Sequence, residues 1–227
     1  MSIILHIETA TRNCSVALSH SGKLLALKEN YSENYSHSEQ LHGFIQKVLK
    51  KADMQASFID AVAVSKGPGS YTGLRIGVAA AKGICFGLEI PLIAVNSLQI
   101  LCEKYHNNNQ ALLFPMFDAR RMEVYAMVLN EKKEILRPTF AQIVGEDSFN
   151  EFSSDLRWVF MGEGAKKCKK VLNAPHIEYR TDITYPSAAE MVPLASSAFK
   201  SKNFEDVAYF EPFYLKDFFT TSMKKSV

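Results

Sequence analysis

Apolar positions along this 227-residue chain recur with a period of two in short runs and a period near 3.6 in longer ones, and the two kinds of run alternate in a fixed order. Residues 3–8, 15–19 and 24–28 predict three hairpin-linked strands, the last two joined by a turn at Ser21 and Gly22. Ser36 and Glu39 form an S-x-x-E capping box. It precedes Leu41, Phe44, Ile45, Val48 and Leu49, whose spacing predicts an amphipathic helix. A strand at 61–65, a helix at 72–88, a strand at 92–95 and a helix at 97–106 complete the first half. After a polar break at 107–110 the order restarts with strands at 112–117, 123–129 and 135–139 and a short helix at 146–152. Then come a strand at 158–161, a helix at 165–172, a weak strand at 177–179 and a helix at 187–200.

Written twice, this order predicts an α/β protein of two mixed-sheet lobes with a cleft between them. Residues 1–106 are expected to form the first lobe, and 107–227 a second, smaller lobe with a C-terminal tail. The duplicated order is that of the actin-like ATPase superfamily, a duplicated RNase H-like fold, and a fold by itself does not give a function. Residues 209–215 hold four aromatics in seven positions and are expected to pack back on the protein. The tail beyond Thr220 is expected to be disordered.

Composition narrows the function. Lys and Arg total 26 against 24 Asp and Glu, spread without blocks, so direct RNA binding by this chain alone is disfavoured. Cys14, Cys85, Cys102 and Cys168 show no C-x-x-C spacing, which fits a reducing cytoplasm and argues against a zinc or redox pair. The apolar region 76–95 is interrupted by Lys82, Glu89 and Pro91, and the N-terminal apolar run is too short for a secretory signal, so a cytoplasmic, soluble protein is expected.

Three stretches invite a chemical reading. The turns Glu8-Thr9-Ala10-Thr11 and Asp118-Ala119-Arg120-Arg121 stand where an actin-like enzyme grips phosphates, and each keeps an acid. Neither has the glycine that lets a backbone approach phosphate closely. Glu8, Thr9 and Asp118 are therefore either vestigial nucleotide contacts or plain turn residues. The run Lys66-Gly67-Pro68-Gly69-Ser70-Tyr71-Thr72-Gly73 leads from a strand into a helix without the G-K-[S/T] ending of a phosphate loop, with Ser70 or Thr72 available as a helix cap. His37 and His42 sit about 140° apart on their helix and cannot share one metal, and no H-E-x-x-H or G-x-S-x-G motif occurs. The helix at 72–88 is apolar almost all round, with Gly73, Gly77 and Ala81 at four-residue spacing and Ala80 beside them. Its own sheet covers one side, and the other needs a neighbouring helix or a partner subunit.

The stretch Ser65-Lys66-Gly67-Pro68-Gly69-Ser70-Tyr71-Thr72-Gly73-Leu74-Arg75-Ile76-Gly77 closely resembles the signature of the TsaB family, also called YeaZ. Ile7-Glu8-Thr9-Ala10-Thr11, His37-Ser38-Glu39, Asp118-Ala119-Arg120-Arg121-Met122-Glu123-Val124-Tyr125 and Pro212-Phe213-Tyr214-Leu215-Lys216 match in order, so the resemblance spans nearly the whole chain. It implies an actin-like fold and a non-catalytic, dimer-forming subunit in tRNA threonylcarbamoyladenosine synthesis. The implied partners are a catalytic TsaD-like subunit, a TsaE-like ATPase and, in isolation, a second copy, with tRNA met only through the complex. It also implies that ATP or ADP and a metal belong to partner subunits, and that the interface draws on Leu41, Phe44, Gly73, Leu74, Gly77, Ala80, Ala81 and Ile84. Where TsaD carries a metal-binding H-x-x-x-H after Val-Asn, this chain has Ser97 and Leu101, which cannot replace two imidazoles. Glu8 departs from the aspartate more usual in the family, which weakens a nucleotide role. The alternatives are an actin-like ATPase or small-molecule kinase working through Glu8 and Asp118, and, last, a peptidase, for which the sequence supplies neither nucleophile nor metal.

Overall fold

In the computed structural model of the chain, which describes residues 2–32, 37–106 and 110–216, each half closes into a five-stranded sheet. Strands β1 (Ile3–Glu8), β2 (Asn13–His20), β3 (Lys23–Tyr31), β4 (Ala61–Gly67) and β5 (Leu92–Asn96) are ordered β3-β2-β1-β4-β5. Strands β6 (Ala111–Asp118), β7 (Glu123–Leu129), β8 (Ile135–Ile143), β9 (Arg157–Met161) and β10 (Ile177–Arg180) are ordered β10-β9-β6-β7-β8. Counting from each half's first strand, both sheets read 3-2-1-4-5, with the hairpin strands antiparallel and the crossover strands parallel. The duplicated order of elements is thus a duplicated topology, and the fold is actin-like.

The helices are α1 (His37–Lys51), α2 (Tyr71–Leu88), α3 (Ser97–Cys102), α4 (Ala165–Cys168) and α5 (Met191–Lys200). Alternation along β1 sends Leu5 and Ile7 to a core with Val16, Leu18, Leu41, Phe44 and Val78 under α1 and α2. Ile4 points the other way, to Ala61, Ile93, Ile100, Met191 and Ala195. That second core shows how the two halves are joined. Helix α5, from the second half of the chain, covers the back of the first sheet, and α3, from the first half, buries Leu98, Leu101 and Cys102 against Leu113, Phe117 and Met161 of the second sheet. The sheets divide near residue 106, whereas the helices between them are exchanged.

Local boundaries differ from the sequence expectation where tertiary bonds intervene. The helix expected at 146–152 is a run of turns, with Phe149 at φ 71° and its ring buried in the second core. The helix expected from 187 begins at Met191, because the Ala188 N–H is taken by Ser15 Oγ at 2.8 Å and the Pro186 carbonyl by Asn13 Nδ2 at 3.0 Å. Helices α3 and α4 end early in tight turns, such as the Tyr105 N–H to the Cys102 carbonyl and the Val171 N–H to the Cys168 carbonyl. Strands β3 and β8 run longer than their apolar patterns, as edge strands paired on one side only. Ser36 of the capping box and the tail beyond Thr220 lie outside the described residues. Of the four aromatics at 209–215, Phe210 packs on the first core, the Phe213 N–H reaches the Lys66 carbonyl at 2.7 Å and Tyr214 lies tilted against Tyr71 with ring centroids 5.0 Å apart. Tyr209 departs from the expectation and is 85% exposed. No helix among the described residues is long and apolar enough to cross a membrane.

Candidate functional site

The two turns that would face a nucleotide have different fates. Glu8 ends β1 fully buried, with Oε1 accepting the Ala10 N–H at 2.6 Å. Burial raises its pKa from 4.5 to about 8, against the pull of that N–H. The glycine-rich run lies directly on this turn: the Ser70 N–H donates to the Ala10 carbonyl at 2.7 Å, and a methyl at Gly69 would overlap Ala10, while one at Gly73 or Gly77 would overlap Thr9. Those glycines admit a close backbone approach within the chain. The turn is neither an open phosphate grip nor a solvated loop, since Thr9 is wholly buried under α2. Ser70 caps that helix, its Oγ accepting the Gly73 N–H at 3.3 Å.

Asp118 remains at the surface, where Oδ1 accepts the Arg120 N–H at 2.6 Å and pairs with Lys167 Nζ at 2.5 Å. Arg120 and Arg121 follow with φ of 68° and 47°. Arg12 beyond the first turn and Asp118 at the second both act electrostatically on Glu163, whose pKa is raised chiefly by burial and then by Asp118. The turns therefore converge, with the first one roofed and the second one ion-paired. Ser97 and Leu101 are likewise committed to the chain's own interior: Ser97 Oγ accepts the Gly67 N–H at 3.2 Å, and Leu101 packs with Tyr105 and Met161.

The interface residues expected from the sequence divide sharply. Leu41, Phe44, Gly73, Leu74, Gly77 and Ala81 are buried within this chain. The physical reason is that the four-residue ridge Gly73, Gly77, Ala81 is the inward face of α2, set against Thr9 and the first core. Ala80 and Ile84 are half-buried and line a shallow groove of about 470 Å³ with Ser38, His42, Ile76, Ala79 and Gly83. Outward from that groove Phe86 is 83% exposed. The outward ridge has a sequence signal of its own, of which the expected set named only Ala80: Ile76, Ala80, Gly83 and Gly87 recur at three- and four-residue spacing. Three glycines on this pair of helices, Gly43 on α1 and Gly83 and Gly87 on α2, have nothing among the described residues within 4 Å of where a Cβ would stand. The two histidines of α1 also part company. His37 is buried, its Nε2 2.8 Å from the Thr11 carbonyl, and His42 is exposed on the rim of the groove.

Comparison with known proteins bears directly on this geometry. Residues 32–221 match the family described as TsaD, tRNA N6-adenosine threonylcarbamoyltransferase. The chain is 30% identical to the tRNA threonylcarbamoyladenosine biosynthesis protein TsaB of Escherichia coli over 94% of both chains. It belongs to the TsaB family. The solved structure of YeaZ from Pseudomonas aeruginosa superposes with a TM-score of 0.82 at 26% identity, covering 95% of this chain and all of that one. A tRNA N6-adenosine threonylcarbamoyltransferase of Pediococcus pentosaceus is 35% identical over 112 residues, which cover 43% of this chain and 32% of that enzyme. TsaB and the TsaD-type enzymes thus share part of one fold, and this chain carries the TsaB version, with Ser97 and Leu101 turned to packing.

Proposed function

We propose that the chain serves tRNA threonylcarbamoyladenosine synthesis as a non-catalytic subunit that docks through the outward face of α2 and the rim of α1 onto a TsaD-type catalytic subunit. Where that partner is missing, the same face meets a second copy. A TsaE-type ATPase joins the assembly, tRNA is met only through it, and nucleotide and metal sit in the partner subunits. The observation that carries this reading is the set of outward glycines. A helix-interior glycine costs roughly 1 kcal/mol relative to alanine, and no contact among the described residues calls for Gly43, Gly83 or Gly87. Their value is to let another helix come close, and Phe86 beside them supplies apolar area for a partner to cover.

Against the kinase or ATPase alternative stand the burial of Glu8 beneath the glycine-rich run and the pairing of Asp118 with Lys167. ATP turnover by the isolated chain is expected to stay at background. The docking reading is tested by Gly83→Leu, measured by sedimentation alone and with a TsaD-type subunit from the same genome. Overpacking a close contact costs about 1–3 kcal/mol, or roughly 5- to 100-fold in affinity. Unchanged association by a variant that still folds would place the interface elsewhere.

A further inference from the structure

After α5 the chain turns back along the first lobe as an irregular strap, residues 205–216, tied at every few residues. The Glu205 N–H bonds to the Leu92 carbonyl at 2.9 Å, Val207 and Phe210 pack on the first core, and the Phe213 N–H takes the Lys66 carbonyl at 2.7 Å. Lys216 reaches the second lobe, where its Nζ meets both carboxylate oxygens of Glu123 at 2.6 and 2.5 Å. In the middle, Lys82 of α2 donates to the carbonyls of Ala208 and Phe210, both at 3.0 Å, and so clasps the residues on either side of Tyr209. Asp206 Oδ1 accepts the N–H groups of Ala208 and of Tyr209 itself, at 2.8 and 3.2 Å. Tyr209 is thus fixed by its backbone neighbours while its side chain is left in solvent, 85% exposed.

Helical geometry says which flank of α2 the strap follows. Lys82 and Phe86 are four residues apart and share one side of α2, whereas the groove residues Ala80 and Ile84 turn toward α1. Thr72, Ala79, Gly83 and Gly87 are exposed along the ridge between these two sides. The outward face of α2 accordingly has two walls, α1 on one side and the strap on the other. The two most exposed large apolar side chains among the described residues, Tyr209 and Phe86, both belong to the strap side. An aromatic held in water by a four-bond backbone clasp has no role in this chain's own core, whereas tyrosine is the kind of residue that anchors protein contacts.

We propose that Tyr209 is a contact residue of the docking surface and that the strap is its second wall, fitted to a partner that presents a helix pair of the same build as α1 and α2. This rests on the docking reading given above. The partner chemistry follows from shared ancestry. Residues 32–221, which include α1, α2 and the strap, match the TsaD family description, so a TsaD-type chain offers a related face and the two can pack in a pseudo-symmetric manner.

The test is a titration of the full chain against a TsaD-type subunit from the same genome, followed by calorimetry or sedimentation. Tyr209→Ala is expected to weaken association roughly tenfold and to leave the melting temperature unchanged, because the ring touches little of its own chain. Tyr209→Phe should keep most of the affinity, since the ring carries the contact. Lys82→Met, which opens the clasp without adding a charge, should give a smaller loss. Phe86→Ala is run in parallel. Parent-like affinity in Tyr209→Ala together with weakened Phe86→Ala would overturn the strap proposal alone. Parent-like affinity in both would overturn the docking reading as well, and loss confined to self-association would assign the strap to a second copy instead.

Discussion

Two buried ionisable side chains two residues apart on β1 set opposite pH dependences. Burial raises Glu8 from 4.5 to about 8 and lowers His6 from 6.5 to about 3. Between pH 4.5 and 8 the folded chain keeps a Glu8 proton that the unfolded chain has released, so this group makes stability fall as pH rises. Between pH 3 and 6.5 the unfolded chain protonates His6 and the folded chain does not, so that group makes stability rise with pH. The two slopes oppose each other between pH 4.5 and 6.5, and from 6.5 to 8 that of Glu8 alone of the pair remains. Thermal unfolding of Glu8→Gln from pH 6.5 to 8 should therefore lose a decline that the parent shows. Equal slopes in the two proteins would mean that Glu8 is ionised in the folded state. The identity of Glu8 as a strand-end acid was plain in the sequence, but its burial was not, because the cover comes from glycines some sixty residues further along the chain.

At the scale of elements, α2 carries glycines for two unrelated reasons, and substitution separates them. Gly77→Ala places a methyl against Thr9 and should cost about 1–3 kcal/mol, as overpacking does. Gly83→Ala meets open space and should stabilise the isolated chain by up to about 1 kcal/mol through helix propensity alone. Denaturant unfolding of both variants checks this pair, and the same sign for the two would refute the division of the helix into inward and outward ridges. Periodicity located α2 and showed that it lacks a polar face. It could not say which ridge of small residues faced inward, because Gly73-Gly77-Ala81 and Ala79-Gly83-Gly87 have the same spacing. The short elements were less legible still: at 146–152 and 187–190 the backbone bonds to side chains and turns in place of a helix ladder.

For the whole molecule, the exchange of α3 and α5 between the sheets has a thermodynamic consequence. Met191 of α5 is fully buried against Ile4, Ala63 and Ile93 of the first sheet, although its own half of the chain builds the second. Met191→Ala should cost about 2–5 kcal/mol and lower the melting of both lobes together. A calorimetric scan of the parent should show one transition. Two resolved transitions, with only one moved by Met191→Ala, would show that the lobes fold independently.

The order of strands and helices, the duplication, the family and the absence of imidazoles at Ser97 and Leu101 are all legible in the amino-acid sequence. These are local or one-dimensional properties, carried by periodicity, turn residues and contiguous motifs. Tertiary structure alone decided that α5 crosses to the first sheet, that the glycine-rich run closes the first turn, and that the outward ridge of α2 lies between α1 and the strap. Each of these depends on which surfaces meet across long stretches of chain, and a side chain's neighbours at that distance leave no period or spacing in the sequence to be read.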